Sequence, residues 1–303
     1  MNAAKSDNAE KRKTIKVDLL LIGMSFIWGL NFTVIKSALD HFSPVVFNAI
    51  RFTVASLLLL LILKLKEKSV KIDREDVKRF LLLALIGNSI YQILFINGIF
   101  RTTAGNSSLI LATTPIFVAM FGSFIGVEKI GRRFWQGVTL SFIGVSMIIL
   151  GSGKPLTLTI QSLMGDILIL SGTICWSVYT VLSKPLLNRY SPLKLTAVTI
   201  AMGTPPLILL AIPYLPAQDW NLIGTWDWLG LFYSSCLAVA VGYTIWYSGV
   251  SHVGGAKTSL YEYLITVIAV ATAWLLLNET MTPIQILGAT LALTGLYRSR
   301  KSK

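Results

Sequence analysis

The chain has 303 residues, of which 54% are hydrophobic and 14% charged, and its mean hydropathy is +0.68. Soluble domains have about 45–50% apolar and about 25% charged residues, so this composition excludes an ordinary soluble protein. The net charge of +13 does not indicate nucleic-acid binding, because the cations lie between apolar runs. We therefore expect an integral membrane protein whose surroundings are the lipid bilayer and which has no nucleic-acid partner.

Ten apolar segments are long enough to be membrane-spanning helices, each of which needs about 20 residues. In chain order they cover 18–37, 44–63, 80–99, 103–125, 134–151, 163–183, 192–213, 228–249, 255–277 and 282–297. Most connections are short, which leaves no room for a soluble catalytic domain. The sequence predicts an all-α membrane protein of about ten helices whose function lies within the bilayer.

The distribution of Lys and Arg predicts the orientation, because these residues in short loops stay on the cytoplasmic side. With the N-terminus inside, the external loops contain only Arg101 and Lys154. Both termini are therefore predicted to be cytoplasmic. The first 17 residues include Asp7 and Glu10 and lack a small-residue cleavage site, so we expect a tail and not a signal peptide. The expected location is the plasma membrane, in bacteria the inner membrane.

The two halves of the chain match each other. An offset of 148 superimposes one set of residues: Asp18, Trp28, Lys36, Ser43 and Pro44 on Asp166, Trp176, Lys184, Ser191 and Pro192. An offset of 151 superimposes a second set: Gly98, Leu109, Glu128, Gly137 and Gly144 on Gly249, Leu260, Glu279, Gly288 and Gly295. The predicted repeats, 15–151 and 163–300, have five helices each, and an odd number inverts the second repeat. Inverted repeats are typical of secondary transporters.

Several short motifs recur in a familiar order. They are Trp28-Gly29-Leu30-Asn31-Phe32, Arg51-Phe52, Thr114-Pro115, Glu128, Ala273-Trp274-Leu275-Leu276-Leu277-Asn278-Glu279 and Gly288. With these motifs the chain resembles the EamA-type ten-helix proteins of the drug/metabolite transporter superfamily. The resemblance implies a secondary carrier of small metabolites, commonly an exporter of amino acids or related compounds, that works by alternating access. Many relatives have Glu-Pro where this chain has Ile265-Thr266, whereas its acid, Glu262, lies one turn earlier.

Glu262 is the first candidate for substrate binding and for coupling. An ionisable group within hydrocarbon is costly and usually faces a cavity or a partner. Thr258, Glu262 and Thr266 are spaced four residues apart, so they share one helix face that we expect to point inward. Glu262 could bind a substrate ammonium or exchange a proton. The alternative is a structural acid bonded to a neighbouring helix.

Aromatic and amide side chains with helical spacing are predicted to form the rest of a substrate cavity. They are Trp28, Asn31, Asn88, Tyr91, Gln92, Asn106, Trp176, Tyr179 and Tyr243. The alternative role for such residues is packing, which we favour for Trp246 and Tyr247. Arg51, Glu128 and Glu279 are predicted to act in coupling or gating. Lys36 and Lys184 lie near helix ends, where we expect their ammonium groups to reach water.

The leading functional hypothesis is therefore a carrier of small organic molecules, for which a monomer could suffice. The alternative within the superfamily is an exchanger of sugar phosphates or nucleotide-sugars, but it would require several cations at one cavity, and only Arg51, Lys36 and Lys257 are available. The sequence lacks an intramembrane protease pattern and a channel filter motif, so an enzyme or a pore is disfavoured. We expect no metal and no cofactor, and both cysteines fall within apolar helices.

Overall fold

The computed structural model describes the backbone of residues 2–102, 104–151, 160–277 and 282–301. Side chains are described for these residues except 2–11, 104–106, 108, 161, 269, 270 and 272–277. This part of the chain forms ten helical elements: α1 (Asn2–Ala38), α2 (Pro44–Glu67), α3 (Arg74–Arg101), α4 (Ala104–Leu111 with Thr114–Phe124), α5 (Arg132–Leu150), α6 (Ile160–Leu187), α7 (Pro192–Ala211), α8 (Thr225–Val253), α9 (Gly255–Ser259 with Tyr261–Leu277) and α10 (Pro283–Arg300).

Seven described helices, α1 to α3 and α5 to α8, are long and apolar enough to cross a membrane. The prediction of an all-α membrane protein of about ten helices is confirmed. The helix α1 begins well before the predicted residue 18, because the polar segment ahead of the apolar run is rich in Ala and Lys, which favour helix. The predicted fourth and ninth spans are each interrupted once, at residues 112–113 and at Leu260.

Two helices contain a π-helical stretch in the same part of each repeat. Residues Leu85–Ile90 are π-helical in α3, and Ser234–Val241 are π-helical in α8. A π-helical turn changes the direction of the side chains that follow it and is frequent at functional sites. Both stretches precede residues that line the central cavity described below, so they set which side chains face that cavity.

The helices α5 and α10, one from each repeat, cross in close backbone contact. A Cβ atom added to Gly137 would lie 2.5 Å from the carbonyl oxygen of Gly295, and one added to Gly144 would lie 2.5 Å from that of Gly288. Small residues at a helix crossing permit such close backbone contact, and here both helices have glycine at these positions. Gly137 is the repeat equivalent of Gly288, and Gly144 that of Gly295. The contact is therefore reciprocal between equivalent positions.

Between these glycine pairs, the Ser141 hydroxyl donates a hydrogen bond of 2.9 Å to the carbonyl oxygen of Ala292. Ser141 and Ala292 are themselves repeat equivalents, since 141 plus 151 is 292. Numbers rise along α5 as they fall along α10, so the two helices are antiparallel. A two-fold axis that relates antiparallel equivalent helices is perpendicular to them. The repeats are consequently inverted, and the pseudo-two-fold axis passes beside Ser141.

The remaining helices form two equivalent groups. The helix α1 packs against α8 and α9, and this group is called the α1 bundle. Its repeat equivalent, the α6 bundle, consists of α6 packed against α3 and α4. The helices α2 and α7 pack against each other, and both begin with proline after serine, which suits the first helical position.

The two ends of the helices define two faces of the protein. We call the end at which residues 68–73, 125–131 and 188–191 lie the basic face, and the other end the opposite face. At the basic face Arg189 forms a 2.6 Å ion pair with buried Asp76. At the opposite face His41 lies 3.0 Å from Asp227, and these residues are the repeat equivalents of Arg189 and Asp76. Each pair joins the loop after the first helix of one repeat to the third helix of the other.

Candidate functional site

A small central cavity lies where the two bundles meet α2. Its volume is about 60 Å³. At about 10–15 Å³ per water molecule, this is room for about five waters or for a solute of similar size. The lining side chains are Trp28, Asn31, Phe32, Arg51, Tyr91, Gln92, Phe95, Leu111, Trp176, Ala238, Val239, Tyr243, Glu262 and Ile265. The cavity therefore combines aromatic rings with amides and with one group of each charge.

Arg51 provides the positive charge of the cavity, and its side chain is almost fully buried. Its guanidinium donates hydrogen bonds of 2.6 Å to Oε1 of Gln92 and 3.3 Å to Oγ of Ser234. It also lies 5.9 Å and 5.2 Å from the ring centroids of Phe47 and Phe52, which is a cation–π distance. In the part of the chain that is described, its Nε has no hydrogen-bond partner.

Gln92 holds Arg51 in place through a short hydrogen-bond network. While its Oε1 accepts from Arg51, its Nε2 donates a 2.7 Å hydrogen bond to the hydroxyl of Tyr243. The network connects α2, α3 and α8. Since three helices share it, the guanidinium has a fixed direction, and a bidentate anion such as a carboxylate matches that geometry.

Glu262 provides the negative charge. The break at Leu260 places it at the beginning of the segment Tyr261–Leu277, and not seven residues inside a continuous helix as the predicted boundaries implied. A carboxylate is favourable at a helix N-terminus because of the helix dipole. Its side chain is 9% exposed, and Thr258 and Thr266 on the same face are also buried, so the predicted inward stripe is observed for these three residues. Among the described residues, none donates a hydrogen bond to its carboxylate.

Four rings form an aromatic cluster next to the cavity: Trp28, Trp176, Tyr243 and Trp246. Their neighbouring ring centroids are 5.0–6.0 Å apart. The indole of Trp28 donates to the carbonyl oxygen of Ala238 at 2.9 Å, and Trp246 is fully buried. Trp246, which does not line the cavity, is closer to the basic-face end of α8 than Tyr243, which does.

The structure brings together most of the predicted substrate-binding residues. Those that line the cavity are Trp28, Asn31, Tyr91, Gln92, Trp176, Tyr243 and Glu262. Two predicted residues lie elsewhere: Asn88 donates to the Tyr179 hydroxyl at 3.3 Å, and Tyr179 pairs with Thr199 at 2.7 Å, so both pack between α3, α6 and α7. The side chain of Asn106 and residue Glu279 lie outside the described residues.

Sequence reasoning missed the apolar part of the lining. These residues are Phe32, Phe95, Leu111, Ala238, Val239 and Ile265. In a membrane protein, apolar side chains face lipid and protein alike, so hydropathy does not separate the two. The one available signal was spacing, since Phe95 follows Gln92 by three residues and therefore shares its helix face.

A second cavity of about 350 Å³ lies at the basic face, between the α4–α5 loop and the α8–α9 junction. Here the Glu128 carboxylate accepts hydrogen bonds from the backbone N–H groups of Gly255 and Ala256, the latter at 3.0 Å. These are unsatisfied donors at the N-terminus of α9, so Glu128 caps that helix from the other bundle. Lys184 lines the same cavity.

Comparisons with known proteins show which family this chain resembles. Residues 15–150 and 163–299 both match the EamA-like transporter family. The chain is 28% identical over 291 residues to the uncharacterized transporter YyaM of Bacillus subtilis, covering 93% of each chain. It is 27% identical over 283 residues to a "Probable amino-acid metabolite efflux pump" of Salmonella typhimurium, covering 89% of this chain and 90% of that one.

A solved structure has the same fold, with a TM-score of 0.77 over 93% of this chain and 96% of the other at 14% identity. At that identity the likeness concerns the fold alone. The family match, in contrast, extends over both repeats. The family is one of transporters and not of enzymes, so its members act on small molecules across a membrane. The chain is a multi-pass integral membrane protein and belongs to the EamA-like transporter family.

Proposed function

We propose that this protein is a secondary carrier that exports amino acids or closely related metabolites across the plasma membrane, in bacteria the inner membrane. The observation that carries the proposal is that Arg51 and Glu262 line the same aromatic cavity. An amino acid has a carboxylate and an ammonium group, which match a guanidinium and a carboxylate respectively. The name of the Salmonella relative is consistent with such a substrate.

Two unpaired polar atoms support the same assignment. Within the described residues, Nε of Arg51 and Oδ1 of Asn31 are buried without a hydrogen-bond partner. A buried polar atom without a partner costs about 1–3 kcal/mol, so a ligand that satisfies it gains affinity. A donor and an acceptor at the same cavity suit a solute that presents both an anion and a cation. The rings of Trp28 and Trp176 would contact the apolar part of that solute.

The cavity does not favour the sugar-phosphate or nucleotide-sugar alternative. A phosphate dianion usually requires several converging cations, yet Arg51 is the one cationic side chain among the described lining residues. Lys36 and Lys257 do not line this cavity. The volume of about 60 Å³ also suits a small solute better than a nucleotide.

We assign gating to Glu128 and Glu279 and alternating access to the two bundles. Glu128 ties the end of α4 to the start of α9 and so closes the basic face. Its repeat equivalent, Glu279, would play the same part for the start of α4 at the opposite face. When the substrate ammonium leaves, the carboxylate of Glu262 takes up a proton in its place. This exchange couples export to the proton gradient. The cationic loops make the basic face cytoplasmic.

The test is saturable uptake of a labelled amino-acid panel into proteoliposomes, with and without an imposed pH gradient. We expect saturation and counterflow for at least one member with the wild type. Arg51→Gln should raise KM by about 10-fold or more, because a charge-assisted hydrogen bond contributes about 1.5–3 kcal/mol. Glu262→Gln should abolish the response to the gradient.

Matched controls are Arg133→Gln and Glu75→Gln, which remove the same charges at exposed positions. Both should transport like the wild type. If no amino acid is transported while a sugar phosphate is exchanged, the substrate assignment is wrong. If Arg51→Gln or Glu262→Gln behaves like its control, that residue is structural.

A further inference from the structure

Lys184 connects the two bundles at the basic face. Its Nζ donates hydrogen bonds of 3.0 Å to the carbonyl oxygen of Val250 and 2.8 Å to that of Ser251. Lys184 is at the end of α6, whereas both acceptors are in the last turn of α8. The last carbonyls of a helix lie at the negative end of its dipole, so a cation is favourable there. The Val250 carbonyl also accepts a hydrogen bond of 3.2 Å from the backbone N–H of Gly254. The contact therefore closes the basic face, beside Glu128.

Lys36 makes the equivalent contact at the opposite face. Its Nζ lies 3.5 Å from the carbonyl oxygen of Ile99, in the last turn of α3. Lys36 is the repeat equivalent of Lys184, and Ile99 that of Val250, since 36 plus 148 is 184 and 99 plus 151 is 250. The same lysine thus approaches the same helix end in both repeats. Among the described residues, exposed Lys36 has one long hydrogen bond of this kind, whereas half-buried Lys184 has two shorter ones.

The side chains one helical turn from each lysine also differ between the two faces. Beside Lys184, the indole of Trp246 donates to the Thr180 hydroxyl at 3.2 Å and joins α8 to α6. The equivalent residues at the opposite face are Phe95 and Phe32, whose ring centroids are 6.3 Å apart without a polar link. In the part of the chain that is described, hydrogen bonds from Lys184 and Trp246 therefore join the two bundles at the basic face, whereas the equivalent positions at the opposite face have one long contact.

We propose that Lys184 and Lys36 are the two latches of the transport cycle, each closing one face by binding the C-terminal carbonyls of the third helix of its own repeat, which belongs to the other bundle. The inference rests on the proposed alternating access, and it adds the two lysines to the gating residues Glu128 and Glu279. In the conformation described here the Lys184 latch is engaged. When the bundles rock, Lys184 releases Val250 and Ser251, and Lys36 approaches Ile99 to within ordinary hydrogen-bonding distance.

The experiment measures side-specific access to the cavity and does not depend on the substrate. Asn31→Cys is introduced with Cys175→Ala and Cys236→Ala, and a membrane-impermeant thiol reagent is added to spheroplasts or to inside-out vesicles. The quantity measured is the ratio of the basic-face rate to the opposite-face rate. Lys184→Met, which has a similar length but no charge, should raise this ratio about tenfold, equivalent to about 1.4 kcal/mol.

Lys36→Met is the matched control, and it should lower the ratio or leave it unchanged. Lys184→Arg keeps the charge and should retain most of the wild-type bias, while Lys184→Gln keeps a donor and should give an intermediate ratio. An unchanged ratio in both Lys184→Met and Lys184→Gln would overturn the proposal, as would an increase in Lys36→Met. Failure of the proposed function would appear separately, as absence of saturable transport by the wild type.

Discussion

The crossing of α5 and α10 gives the sharpest prediction about stability. In Gly144→Ala the added methyl carbon would lie 2.5 Å from the carbonyl oxygen of Gly288, whereas 3.4 Å is an ordinary contact. The helices would have to separate by about 0.9 Å, the difference between these distances. Overpacking of this kind costs about 1–3 kcal/mol. Since about 2 °C corresponds to 1 kcal/mol in a chain of this size, Tm should fall by about 2–6 °C.

The assay is thermal unfolding of the purified protein in detergent, followed by gel filtration of the remaining folded fraction. The matched control is Gly23→Ala, because a methyl group at Gly23 would have no neighbour within 4 Å. That variant gains helix propensity, worth up to about 1 kcal/mol, and should have an equal or higher Tm. Equal Tm values for Gly144→Ala and the wild type would refute the assigned packing and with it the position of the pseudo-two-fold axis.

Two further predictions concern the basic face. Asp76→Asn should lower Tm by several degrees, because buried Asp76 accepts a hydrogen bond from Tyr190 at 2.9 Å and pairs with Arg189 at 2.6 Å. A neutral amide weakens both contacts by about 1–3 kcal/mol in total. The control is Asp40→Asn at an exposed position, and indistinguishable Tm values for the two variants would contradict the expectation. Protease sites added at both termini should be cut in inside-out vesicles only, as the cationic loops predict; cleavage in intact spheroplasts would reverse the assigned orientation.

Sequence reasoning reached the fold and the repeat because these depend on patterns that a single chain displays. Apolar runs of about 20 residues predict spans, and the recurrence of Lys36 at Lys184 revealed the duplication. The sequence alone did not predict the local departures from regular α-helix. Neither the π-helical stretches nor the break at Leu260, which moves Glu262 to a helix start, has a signature in hydropathy. They arise from packing between helices that are distant in the chain.

The site was predicted in part for the same reason. Arg51 and Glu262 stood out because charges are rare within spans, and both line the central cavity. Asn88 and Tyr179 are also polar, yet they form a hydrogen bond with each other between helices and do not line the cavity. The choice between these roles depends on helix rotation, which single-sequence periodicity does not give. Lys184 was interpreted as a residue reaching for water, whereas its ammonium binds two backbone carbonyls.

The pseudo-two-fold axis beside Ser141 has a consequence for the energetics of transport. If both repeats had the same sequence, the conformation open to one face would be the rotated copy of the conformation open to the other, and their free energies in symmetric surroundings would be equal. Any resting preference must then originate where equivalent residues differ, as Thr180 and Trp246 differ from Phe32 and Phe95. Under the proposed alternating access, the direction in which the empty carrier faces is thus set by the positions at which the two repeats differ.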